Sequence, residues 1–124
     1  MWETKEAACG VCSPIVHGGD VYFASNGLYC LDGKTGETKW VQGKFGSASS
    51  LILTSDERII VWANNGDLAL AESAKRSPER YTELSKPKRV MHRDEAWPHV
   101  VLAEGRIYCK DRNGEIQCFA LKAQ

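Results

Sequence analysis

Three groups of residues in this 124-residue chain have types and spacings that could do chemistry. Gly33-Lys34-Thr35 is how a phosphate-binding loop ends, Cys9-Gly10-Val11-Cys12 has the spacing of a redox dithiol or half a zinc site, and His17, His92 and His99 supply imidazoles. A phosphate loop also needs a glycine five residues before Gly33 and a helix after Thr35. Position 28 is Leu, and Gly36-Glu37-Thr38-Lys39-Trp40 reads as a turn entering a strand, so nucleotide binding is set aside. The CxxC has neither the strand-to-helix setting of a redox pair nor a second Cys or His pair to complete a zinc site, and is expected to be structural. The histidines are scattered; His99, which follows Trp97-Pro98, is expected to be packed or hydrogen-bonded and is kept with Trp97 as a possible channel or surface site, and His17 and His92 carry no site of their own.

The elements that must position these residues are strands. Short β-rich runs bounded by Gly, Asn and Asp recur along the chain, and helical periodicity is hard to find. Asp20–Ser25 (DVYFAS) turns at Asn26-Gly27 into Leu28–Asp32, and Arg106–Lys110 (RIYCK) turns near Asn113-Gly114 into Ile116–Ala120, Asn-Gly being suited to the positive φ of tight hairpins. Arg58–Ala63 (RIIVWA) turns through residues 64–67 into Leu68–Glu72. The hairpin form occurs three times, which is the mark of a repeat.

Aligning the hairpins extends the unit. An apolar run precedes each one (from Ser13, Ser50 and His99), and Glu37–Gln42 follows the first as a fourth strand carrying Trp40. Arg80–Leu84 is expected to close the second unit, with Tyr81 in the place of Trp40, whereas the third has three strands only. Trp2 lies 38 residues before Trp40, which is also the step from Val21 to Ile59, so residues 2–7 are expected to be the displaced fourth strand. The expected order is D-ABCD-ABCD-ABC in one module over residues 1–124: unit 1 at about 13–42, unit 2 at about 48–85, and unit 3 at about 98–121 with the strand at 2–7.

The run Cys30-Leu31-Asp32-Gly33-Lys34-Thr35-Gly36-Glu37-Thr38-Lys39-Trp40 resembles the tryptophan-docking motif of quinoprotein-type (PQQ-like) β-propellers, Ala-x-Asp-x-x-Thr-Gly-x-x-x-Trp, with Cys for Ala at the first position. The last unit, from Ala96 to Tyr108, resembles the closing blade of many bacterial members. The resemblance implies an all-β propeller of four-stranded antiparallel blades, with Asp32, Thr35, Gly36, Trp40 and Trp2 as a structural docking set. Independently of the family, Asp32 can accept amide hydrogen bonds in its own turn, Gly36 can supply positive φ, and Trp40 offers a flat face to a neighbouring sheet. Cys30 and Cys118 occupy equivalent positions and are expected in the core.

Catalytic members of that superfamily bind pyrroloquinoline quinone and Ca²⁺ in a central channel, using an adjacent-cysteine disulfide and acidic residues from several blades. No Cys-Cys pair occurs here, so no cofactor or catalytic residue is assigned. A non-catalytic scaffold for protein or ligand interaction is the first expectation, and part of a PQQ- and calcium-dependent alcohol or sugar dehydrogenase the alternative. A lectin-like module stacking sugars on Trp62 and Trp97 is a third. The resemblance places such proteins outside the cytoplasm, in the periplasm, although the N-terminus has no apolar run of signal-peptide length.

Composition bounds the partners. Lys plus Arg and Asp plus Glu balance at 16 each, which provides no overall field for nucleic acid, and no apolar run is long enough to span a membrane. The segment from Lys75 to Arg93 is locally basic and is read as a solvated outer strand and loop. Five cysteines at irregular spacing do not resemble a disulfide framework. Propellers need about four to eight blades to close. Three units are therefore expected to self-associate, two copies forming a six-bladed ring, or to join further blades of a longer chain.

Overall fold

The computed structural model describes residues 1–5, 10–87, 90–91 and 96–121. The described residues are strands and turns with no helix, and no helix is long and apolar enough to cross a membrane. The fold is all-β and its strands follow one another as antiparallel neighbours. The first sheet runs β1 (Ile15–His17), β2 (Asp20–Ser25), β3 (Gly27–Asp32) and β4 (Thr38–Gln42). The second runs β5 (Ser49–Leu53), β6 (Arg58–Ala63), β7 (Leu68–Glu72) and β8 (Glu83–Ser85). The third has three strands, β9 (Val101–Ala103), β10 (Arg106–Lys110) and β11 (Ile116–Ala120), with β10 in the middle.

The turns follow from local chemistry. Asn26 alone joins β2 to β3, at a φ of 57° that Asn tolerates better than most residues. The β6–β7 and β10–β11 turns use Gly66 and Gly114 at φ of 81° and 94°.

The packing gives the apolar β6 its reason. Ile59, Val61 and Ala63 lie in one buried cluster with Tyr22, Cys30 and Trp40 of the first sheet, while Ile60 and Trp62 lie in another with Ile107 and Cys109 of the third. Successive side chains of a strand point to opposite faces, so a strand between two sheets must be apolar at every position. β11, with no sheet over its far face among the described residues, alternates between exposed and half-buried instead. Sheets are also linked by backbone: Asn26 donates to Gly46 (2.7 Å), Phe45 donates to Asn26 and Asn64 to Phe45 (both 3.1 Å), and Ala96 donates to Asn64 (3.4 Å).

The structure differs from expectation at two places. The strand expected at Arg80–Leu84 is shorter and later, at Glu83–Ser85, because the 73–82 connection is a ten-residue loop where the first sheet has five residues. Register then moves the equivalence. Cys30 pairs with Trp40 and Leu31 with Thr38 across an irregularity, and Leu70 pairs with Ser85 and Ala71 with Glu83 across the same irregularity, so Ser85 and not Tyr81 stands where Trp40 does. Residues 1–5 belong to no strand, residues 6–7 lie outside the described residues, and the third sheet has no fourth strand among the described residues.

Candidate functional site

Asp32, Thr35, Gly36 and Trp2 meet at the turn between β3 and β4. Asp32 Oδ1 accepts the amides of Lys34 (2.8 Å) and Thr35 (3.0 Å), and the Thr35 hydroxyl accepts the amide of Glu37 (3.2 Å). Gly36 closes the turn by donating its amide to the Asp32 carbonyl (2.8 Å) at a φ of 78°. An aspartate serves here because a short carboxylate reaches amides two and three residues on without leaving the strand. The Thr35 and Lys34 amides, aided by Lys39, hold its carboxyl below the usual carboxylate range. Lys39 Nζ lies 2.6 Å from Oδ1 of buried Asp20 and 3.9 Å from Asp32 Oδ2, and the hydrogen bond to Asp20 raises its pKa. The turn is therefore braced by its own sheet.

Trp2 sits on this turn. Its Nε1 donates to the Gly33 carbonyl at 2.9 Å, and its ring covers Gly36 so closely that a Cβ there would lie 2.5 Å from the indole. Glycine is thus required twice at position 36, for its φ and for the approach of the ring.

Trp40 makes the next junction. Buried on the first sheet beside Tyr22 (ring centroids 6.2 Å apart), it meets Tyr81 from the second sheet's long loop edge-on at 6.1 Å and packs with Ala71 and Ala74. The buried Tyr22 hydroxyl accepts the Ala74 amide at 2.9 Å across the same junction. Burial raises the phenol pKa of Tyr22, and burial together with Glu83 raises that of Tyr81. The Trp40 Nε1, unlike that of Trp2, finds no acceptor among the described residues. The 73–82 loop has no glycine to admit an indole as Gly36 does.

The remaining candidates lie elsewhere. Trp97 and His99 are exposed on the approach to β9, Trp97 beneath the Arg112 guanidinium at 4.9 Å from its ring centroid. Trp62, considered as a sugar platform, is fully buried and donates to the Lys110 carbonyl at 3.4 Å, so it offers no face to a sugar. Cys30 is in the core, where burial pushes its thiol up to about 12, and the same holds for Cys109. Cys118 is exposed, contrary to expectation: its register place beside Tyr108 matches Cys30 beside Tyr22, but among the described residues the third sheet has no neighbour on that face. Of the CxxC, Cys12 is half-buried with its Sγ 3.3 Å from the Ala24 amide, while Cys9, like His92, lies outside the described residues. His17 faces Glu57 at 3.6 Å, and Glu57 in turn meets Lys75 at 3.0 Å. Among the described residues no three His, Cys, Asp or Glu side chains converge as metal ligands would.

Sequence reasoning singled out Asp32, Thr35, Gly36, Trp40 and Trp2 from local pattern and spacing. It missed the partner surfaces, Ala74 and the Tyr22 hydroxyl, because they lie across the junction and nothing local marks them. No protein-family model matches the chain, and a search of curated proteins finds none that matches it.

Proposed function

We propose that the chain is a non-catalytic interaction scaffold, a β-propeller module of the quinoprotein type with about three blades, completed to a ring by a second copy. The observation that carries the reading is the docking of Trp2 on Gly33 and Gly36 of the first sheet, alongside the burial of Trp40 against the second. Trp40 belongs to the outer strand of one sheet and packs on the following sheet. By that relation Trp2 marks an outer strand whose own sheet would precede the first. The third sheet ends at β11, where Ile116 and Leu121 are exposed at 62% and 45%. A strand from residues 2–7 of a second copy could run along β11 and leave its tryptophan on its own first sheet. Two such contacts would close a ring of six blades.

Light scattering on the full chain at micromolar concentration tests the assembly. A particle of twice the 13.8 kDa chain mass is expected, and a cooperatively folding monomer overturns the ring. Addition of pyrroloquinoline quinone with Ca²⁺ tests the non-catalytic reading. Saturable uptake with dye-linked alcohol oxidation would replace the scaffold by the dehydrogenase alternative.

A further inference from the structure

The two junctions between sheets are built on equivalent rows of side chains and filled differently. In the first sheet the row facing the second is Tyr22, Cys30 and Trp40, paired side by side across three strands. In the second sheet the row facing the third is Ile60, Leu70 and Ser85, paired in the same register. Where the first junction has an indole, the second has a hydroxymethyl group. Tyr81 does not make up the difference, because its ring is turned to Trp40 on the opposite side of the second sheet.

Among the described residues the space remains open. A cavity of about 350 Å³ lies between the second and third sheets, lined by Ile60, Leu70, Ser85, Val90, Ile107 and Phe119 among others. For comparison, an apolar cavity of about 150 Å³ in another protein stays dry and takes up benzene. Water gains little in such a lining, having few polar groups to bond. A flat hydrocarbon gains dispersion contact with both sheets.

We propose that this cavity is a binding site for a neutral, planar aromatic ligand of up to two fused rings. Its size follows from the missing indole. Neutrality follows from the described lining, which is apolar but for Ser85 and would desolvate a charge without pairing it. Phe119 offers a ring for offset or edge contact, and the exposed Ser85, at the rim, can bond to a ring N–H or hydroxyl. The site goes beyond the scaffold reading and does not depend on how the sheets assemble.

Titration of the full chain with 5-fluoroindole, followed by ¹⁹F NMR, tests it. Saturable binding is expected at millimolar concentration or below, with competition by naphthalene and at least tenfold weaker binding of indole-3-carboxylate. Ser85→Trp should fill the space, raise Tm and weaken binding at least tenfold; Ser85→Leu serves the same purpose if that variant fails to fold. No saturable binding by the unaltered chain overturns the proposal. So does undiminished binding by the folded Ser85 variant, or equal affinity for the carboxylate.

Discussion

Replacing Gly36 by Ala asks whether Trp2 is held by the turn or merely rests near it. Two costs are expected, and they separate in a double-mutant cycle with Trp2→Ala. The first is intrinsic: at a φ of 78° an L-residue is strained by about 1 kcal/mol whatever lies nearby. The second is steric, since the new Cβ would lie 2.5 Å from the Trp2 ring and must displace it. Trp2 is 36% exposed, so about two thirds of an aromatic surface of order 150–250 Å² is covered. At about 25 cal/mol per Å² this is a gross gain of about 3 kcal/mol. Ordering the Trp2 residue itself, at about 1–2 kcal/mol, offsets part of it, leaving a net contribution of about 1–2 kcal/mol. Gly36→Ala should therefore cost about 2–3 kcal/mol in the unaltered chain and about 1 kcal/mol once Trp2 is Ala. Urea unfolding followed by far-UV circular dichroism, with equal m-values required of all four proteins, measures both. Additivity within about 0.5 kcal/mol would refute the docking.

Two further outcomes follow from the same residues. Trp40→Ala, which empties the first junction, should cost about 3–5 kcal/mol by urea unfolding, whereas Trp40→Phe should cost clearly less, because the indole N–H it removes has no acceptor among the described residues; equal losses would contradict the packing. Asp32, with its carboxyl held below the usual range of about 4, stabilises the fold fully above that range and progressively less as pH falls through its lowered value; Asp32→Asn should reduce the loss of Tm between about pH 5 and 2, and parallel Tm curves would count against the turn.

What the sequence disclosed was whatever a short stretch determines by itself. The hairpins at 58–72 and 106–120 are legible to the residue because β-rich runs stop at Gly, Asn and Asp, and the Asp32 turn because Asp, Thr and Gly act within five positions. Tyr81 misled for a physical reason. It is an aromatic at about the right distance, but a ten-residue loop separates β7 from β8, and only the shared irregularity at Cys30 and Leu70 fixes the equivalence on Ser85. Cys118 misled because equivalence in a strand is not equivalence in burial; among the described residues no sheet covers the face it points to. The cavity behind Ser85 is a property of two rows facing each other, which no single segment spells out.

The strictly sequential strand order also bears on how the chain acquires its structure. Among the described residues each of β1–β11 pairs only with strands adjacent to it in sequence, a lone parallel bridge from Val11 to Ala48 aside, and the packing of β6 joins it to sheets immediately before and after. Loop closure is therefore cheap at every step, so a sheet can form as soon as its strands leave the ribosome, before the next exists. The second sheet is the exception to independence. With both faces apolar, it has one side unprotected until residues 96–121 emerge, and that interval is when the growing chain is most exposed to misassociation.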